Sequence, residues 1–432
     1  EAPPGLDFSA LLARRRQLLE DHAGRLGVCR LRATTTGPLT LHLARASALE
    51  HAGICLHPLY GFVYLPGSGL KGMAHAHACD VWLPAQPDRQ RAWDAVCRVF
   101  GWAASPWLAD LARRWGVEVP DGSQGGTVVF HDAWPETWPR LVVDILNNHH
   151  AGYYQKGEPP GDWDSPIPVY FLAVPAGQTF SFALGKRRGD VPDHLLNLAG
   201  QWLAGALAQA GAGAKTATGY GGFRPEADAD ALAQPAGADW EAARRAGARA
   251  DFSCPLELVT PAFLAGAGRK ADDCELRPAT LRGLLRWWWR TLHAGFVDVP
   301  TLARLEAAVW GDTNTGGALR LTVEPVSGTT PLLYDKNFLA QRNGLPRPPN
   351  NKTTQGLWYH SFGMDDTRNE GDGPQRHQRW FVAPGARWTV RLSARRASFP
   401  PEAGPGGGRK IDPGAVLDQA RVALWLFCRL GG

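Results

Sequence analysis

Arg282, Arg286 and Arg290 recur at every fourth residue, a spacing that lines three guanidiniums along one face of a helix. Leu281, Leu284, Leu285, Trp288 and Leu292 fill the opposite side, and Arg277 stands just before the start. Unpaired like charges at this spacing repel, so the row disfavours the helix alone and makes sense with something anionic along it. A phosphate backbone is one such anion, since each Lys or Arg contact releases counterions. Carboxylates elsewhere in the fold, or a solvated face, are the plainer alternatives. The expectation adopted is an RNA-facing row, mainly because Lys71 occupies the matching position in the first half of the chain.

A second candidate is the glycine-rich run Gly211 to Phe223, containing Lys215, Thr216 and Tyr220. It is not a P-loop, because Ala214 precedes Lys215 and Gln209 stands where the leading glycine would be. Such a loop after a helix can still bring backbone N–H groups to a phosphate, with Lys215 supplying charge; the competing reading is a flexible turn. His75, His77 and Cys79 resemble a metal motif, but on a helix His77 faces away from the other two, so no metal site is expected. His149 and His150 lie in a polar stretch with Asp144, Lys156, Asp162 and Asp164. A His beside a Lys can cleave RNA by acid–base catalysis, yet hydrogen-bonded loop residues at a subunit contact are the favoured reading. No catalytic residue and no cofactor is expected.

The surrounding composition narrows the classes. At 432 residues, with 44% hydrophobic and 20% charged, the chain has material for two or three cores and is not globally disordered. No run of about 18 apolar residues suggests a membrane span. Seven cysteines without a Cys-x-x-Cys pair argue against a disulfide framework or zinc ribbon and fit a reducing cytoplasm. Residues 1–250 carry 23 Lys/Arg against 24 Asp/Glu, whereas residues 251–432 carry 23 against 17, so the net charge of +5 resides in the second part. There 19 of the 23 cations are Arg, the side chain suited to forked phosphate contacts.

The elements that must position these residues come twice. Leu70-Lys71-Gly72 follows Pro66 and Ser68, as Leu281-Arg282-Gly283 follows Pro278 and Thr280. Val99-Phe100-Gly101 then matches Val309-Trp310-Gly311, and a Gly-Gly pair opens an apolar strand at Gly125-Gly126 and again at Gly316-Gly317. Three landmarks in one order imply a duplication. The run Ala227 to Ala250, rich in Ala, Asp, Gly, Pro and Arg, reads as a linker. Strands are expected at 169–174 and 179–184, with Pro175-Ala176-Gly177 as a hairpin signal, and at 252–260 and 388–392; helices are expected at 192–210, 280–292 and 413–430. The order suits an α+β fold of the ferredoxin-like (RRM-like) type, repeated in tandem with loop insertions. The polar insertion 333–381, with Lys336, Arg342, Trp358 and Arg379, suits single-stranded nucleic acid.

These residues carry a resemblance. The loop 211–223 resembles the C-terminal signature of the RAMP superfamily of CRISPR proteins, and Pro66 to Gly72 resembles its Lys-Gly helix start. Asp144 to Phe171, with Tyr153, Pro159, Asp162 and Pro166-Ile167-Pro168-Val169, resembles the sixth-subunit family of type III-B (Cmr) systems. Thr260-Pro261-Ala262-Phe263, Glu275-Leu276-Arg277-Pro278, Leu281 to Arg290, Glu306 and Trp310-Gly311 are similar to the first-subunit family. Two features depart from the family: the halves are fused, and the second stops at Cys428 to Gly432, where an equivalent loop would begin. The resemblance implies two RAMP units, 1–225 and 252–432, joined by a 226–251 linker, with the C-terminus incomplete. It implies a non-catalytic cytoplasmic subunit that caps the 3′ end of a guide RNA (crRNA) and helps capture target RNA. Its other partners would be further type III-B effector subunits, especially the backbone RAMP subunit and the small subunit. Lys71, Lys215, Thr216, Tyr220, Arg277, Arg282, Arg286 and Arg290 would contact RNA. The alternatives are an RNA endonuclease using Asp132 or His149, and a generic RNA chaperone. The linker generates a direct test: limited trypsin digestion should cut first near Arg244-Arg245, and one protected core spanning that site would count against two units.

Overall fold

The computed structural model describes residues 6–41, 53–161, 163–226, 249–268, 270–312, 316–334, 364–370, 373–398 and 409–431. Residues 227–248 of the expected 226–251 linker and residues 335–363 of the 333–381 insertion lie outside the described residues, and 249–251 belong to a strand.

Helix α1 (Phe8–Leu26) starts where the Asp7 carboxylate accepts the Ala10 N–H, and it ends at Gly27, whose φ of 92° turns the chain into β1 (Val28–Thr35). Next come α2 (Gly67–His77), α3 (Arg89–Phe100) and β2 (Val128–Phe130). An antiparallel ribbon of β3 (Val142–Asn148) and β4 (Ile167–Ala173) encloses the short α4 (Ala151–Lys156). Then follow β5 (Thr179–Lys186), α5 (Asp193–Gln209) and β6 (Phe223–Pro225).

The main sheet of this half has the antiparallel order β2–β5–β1–β6. Period-two alternation sends Leu31 and Ala33 of β1, and Phe180, Phe182 and Leu184 of β5, into one core with Ala74, Trp93, Trp202 and Leu203 of the helices. Trp202 is fully buried, its ring 5.0 Å from that of Trp82 and 5.6 Å from that of Phe100. α1 lies on the opposite face, where His22 closes over Gly185: a Cβ there would come within 2.8 Å of His22 Nε2, and the imidazole would have to shift.

The second half runs β7 (Arg249–Glu257), α6 (Pro278–His293), α7 (Val299–Trp310), β8 (Leu319–Ser327), β9 (Arg387–Arg395) and α8 (Pro413–Leu430). Its sheet has the antiparallel order β7–β9–β8. Val390, Leu392, Leu319 and Leu321 face Leu285, Trp289, Val416 and Leu424 of the helices in a separate core.

The mixed helix-and-sheet content agrees with the α+β expectation, and the three expected helices form at α5, α6 and α8. The hairpin at Pro175-Ala176-Gly177 does not. β4 pairs with β3 rather than β5, and β5 pairs with β1 and β2. The turn instead carries the chain from ribbon to main sheet, with Val174 bridging to Leu39. Among the described residues no helix is long and apolar enough to cross a membrane.

The cap at Asp7 gives a measurable consequence. Asp7→Ala should destabilise α1 by about 0.5–2 kcal/mol, seen as loss of amide protection across α1 in hydrogen exchange. Unchanged protection would mean that packing alone holds the helix.

Candidate nucleic-acid interface and the junction between the halves

α6 begins at Pro278, whose fixed φ suits a first helical position, and its fourfold spacing places Arg282, Arg286 and Arg290 on one face. That face does not meet solvent. Arg282 is 4% exposed and Arg290 6%, and Arg286 is largely covered. Arg282 Nη1 donates to Ala217 O at 2.9 Å and Leu319 O at 3.1 Å, and its Nη2 donates to Trp310 O. Burial pulls its pKa downward, while the three carbonyls, acceptors only, stabilise the charged form.

The other two arginines share one acid. Glu306, on α7 and only 1% exposed, accepts from Arg286 Nε at 2.6 Å and from Arg290 Nη1 at 3.0 Å. The first half completes this carboxylate: Tyr153 and Tyr154, from α4, donate hydroxyls to it at 2.8 and 3.3 Å. Arg286 and Arg290 also lie over the Tyr154 and Tyr153 rings, 5.1 and 5.6 Å from the centroids. Burial and the nearby Glu306 charge raise the Tyr153 pKa, so its hydroxyl remains a donor. The row thus finds partners within the chain: Glu306 meets Arg286 and Arg290, and three backbone carbonyls hold Arg282.

The glycine-rich loop serves the same junction. Gly211, Gly213, Gly219 and Gly221 all have positive φ, and Lys215, at 57°, is the non-glycine residue described in that region. Several of the loop's N–H groups are used inside the first half: Ala212 donates to Gly221 O, Ala214 to Thr40 O and Gly221 to Pro38 O, at 2.7–2.8 Å. These three amides are taken up within the chain. A Cβ on Gly219 would sit 2.4 Å from Pro278 Cβ, so the loop meets the first turn of α6 edge to edge. Tyr220 Oη donates to Asp144 Oδ2 at 2.5 Å, and Arg277 Nη1 donates to Asp144 Oδ1 at 2.9 Å and Ile145 O at 3.1 Å. Lys215 lies over the Phe171 ring at 5.7 Å, with burial lowering its pKa and Asp144 opposing. Thr216 starts the single helical turn Thr216–Thr218 that packs on β8 and α6. Lys71 behaves differently. It is half-buried on α2 and makes no hydrogen bond or ion pair with a described residue, and burial and Arg187 lower its pKa.

The remaining candidates are dispersed. His75 packs on Phe100 at 4.7 Å, and burial, with Lys71 adding to it, pushes its pKa down to about 4. His77 is buried against Gly205. Asp132 accepts the Gly67 N–H at 2.7 Å at the start of α2, His150 pairs with Asp164 at 2.8 Å, and His149 is exposed. Among the described residues no three His, Cys, Asp or Glu side chains form a metal-holding group. Sequence reasoning assigned no role to Tyr154 and did not pair Glu306 with the arginine row. The available signal was positional: Glu306 lies on the Leu302–Val309 face of an apolar helix, where a carboxylate needs a buried partner.

This arrangement defines a class. The RAMP superfamily model matches residues 32–224 and again 255–432. The chain belongs to the RAMP superfamily. Within it, the chain is 31% identical to CRISPR system Cmr subunit Cmr6 of Pyrococcus furiosus, over 38% of this chain and 58% of that protein. It is 33% identical to Cmr subunit Cmr1-2 of the same organism, over 13% of this chain and 31% of that protein. It thus spans less than two thirds of either relative, and it resembles a fusion of the sixth and first type III-B subunits. Among solved structures, a type III-B Cmr-beta complex bound to cognate target RNA matches 51% of this chain and 66% of that chain, at 19% identity and TM-score 0.36. The crystal structure of Pyrococcus furiosus Cmr6 matches 46% of this chain and 97% of that chain, at 30% identity and TM-score 0.27.

Removing the shared acid should be costly. Glu306→Ala leaves two buried guanidiniums without a counter-charge and should cost about 3–5 kcal/mol in urea unfolding. Arg113→Ala, which breaks an exposed pair with Asp110, should cost no more than about 1 kcal/mol. Equal effects would show that the Glu306 cluster contributes nothing special.

Proposed function

We propose that this chain is a non-catalytic subunit of a type III-B CRISPR ribonucleoprotein effector, in which two ferredoxin-like RAMP units act as one body. The units would cap the 3′ end of a guide RNA and help capture target RNA beside a backbone RAMP subunit and a small subunit. The observation that carries this reading is the junction. The residues most characteristic of the family resemblance, the glycine-rich loop of one half and the Leu-Arg-Gly helix of the other, meet each other through Ala217 and Arg282. A contact of this kind suits a subunit that holds its neighbours in order. The strand orders support the ferredoxin-like reading. The order β2–β5–β1–β6 with α2 and α5 on one face is what that reading expects, and β7–β9–β8 with α6 and α8 is compatible with three strands of a second unit. Of the residues assigned to RNA from the sequence, Lys71 retains the open cation that the assignment requires.

The test is co-expression of the full chain with the remaining type III-B subunits and a guide. The expected outcome is co-purification in one particle with RNA of defined length, and no cleavage of labelled target RNA by the isolated chain with or without divalent metal. Cleavage that survives purification and vanishes in His149→Ala would replace this reading with an endonuclease.

A further inference from the structure

With the arginine row and the glycine-rich loop spent on the junction, an RNA strand needs another seat. A cavity of about 490 Å³ opens beside the junction, between the edge strand of the first half and the helix-free face of the second sheet. One wall is Thr36, Gly222 and β6 with Arg224; the floor comes from β7, β9 and β8. Strand register arranges that floor in rungs. Arg320, Ser393 and Asp251 stand side by side, and Thr322, Arg391 and Ser253 form the next rung, two residues along. Two residues of a strand span about 6.8 Å, close to the spacing of successive phosphates in an extended strand. Each rung therefore offers one guanidinium and at least one hydroxyl. Arg224 and Arg391 are exposed, and Arg391 reaches Glu324 only at 3.6 Å. Arg320 donates through Nη1 to Gln209 O, and its Nε is buried without a hydrogen-bond partner among the described residues.

We propose that this groove binds the sugar–phosphate backbone of single-stranded RNA, with Arg224 and Arg391 on the phosphates and the Asp251, Ser253, Thr322 and Glu324 side chains positioned for ribose 2′-hydroxyls. The inference rests on the reading of the chain as an RNA-binding subunit and adds the site. The aromatic residues lining it, Phe223 and Phe252, pack inward on the two cores, so bases have no stacking platform and the strand is held without regard to sequence. Two carboxylates among three arginines keep the net charge of the groove low, so the salt dependence is shallow. The hydroxyls and carboxylates favour RNA over DNA, because the 2′-OH both donates and accepts.

The test uses the full chain and an oligouridine of about 12 nucleotides, in filter binding across a salt series. Arg224→Glu/Arg391→Glu should weaken binding at least about tenfold and lower the salt slope by about 1.4, or 0.7 per lost contact. Arg113→Glu/Arg429→Glu changes the net charge equally away from the groove and should leave affinity within about twofold. Oligodeoxyuridine should bind more weakly than oligouridine, and 4-thiouridine crosslinks should map to peptides of β7 or β9. Equal loss in both double variants, crosslinks confined elsewhere, equal binding of the two oligomers, or no binding by the wild type would overturn the inference. If the binding and crosslinking results fail while the wild type still co-purifies with the effector subunits and guide, the groove alone fails. If the wild type brings down neither subunits nor RNA, the broader reading fails.

Discussion

A carboxylate removed from water is tolerable only when its lone pairs are filled and its charge is met, and Glu306 is the group on which the junction depends. An ionised carboxylate offers about four acceptor sites. Arg286 and Arg290 of its own half and Tyr154 of the other converge on Oε1, and Tyr153 donates to Oε2, so each half supplies two of the four donors. The desolvation cost of such a buried cluster is several kcal/mol per ion, recovered only when hydrogen bonding is complete. Completion here requires both halves. A chain carrying only the second half would expose two guanidiniums and an acid that the tyrosines now cover.

The same constraint explains the backbone around it. Arg282 finds one carbonyl on β8, one at the end of α7 and one in the glycine-rich loop across the junction. For Ala217 O to reach Arg282, Gly219 must lie against Pro278 with no side chain between them, and its φ of 88° suits glycine. Thus the loop is glycine-rich because of a protein surface it must touch and the positive φ angles it must adopt. Its fold is set by carbonyls more than 170 residues upstream in sequence, Pro38 and Thr40, which take its N–H groups.

That distance also marks what could be read from the sequence. The helix at α6, its arginine face and its capping proline were legible because they depend on residues within a few turns of each other. The repeated landmarks were legible for the same reason. The destination of the arginine face was not, because a row of cations states that an anion is needed without saying whose. The use of the loop amides was hidden likewise. The 175–177 turn misled because adjacent apolar strands usually pair; here the ribbon strand β3 claims β4, and β1 claims β5. Long-range pairing overrode a local signal.

The duplication shows how the charges travel together. Aligning Leu70-Lys71-Gly72 with Leu281-Arg282-Gly283 sets His75 and Cys79 opposite Arg286 and Arg290, and aligning Val99 with Val309 sets Val96 opposite Glu306. The first half thus carries neither those two cations nor the acid, and Val96 is 1% exposed in an apolar core. Burial holds the His75 pKa near 4, so that position is uncharged at neutral pH as well. This is the pattern expected from the energetics of buried ions. Replacing all partners by uncharged groups is close to neutral, whereas removing one leaves an uncompensated charge. Lys71 is the cationic residue of that set in the first half, and it is only half-buried on α2. The two halves share a backbone plan, and the difference between them lies in which surface must be held against another.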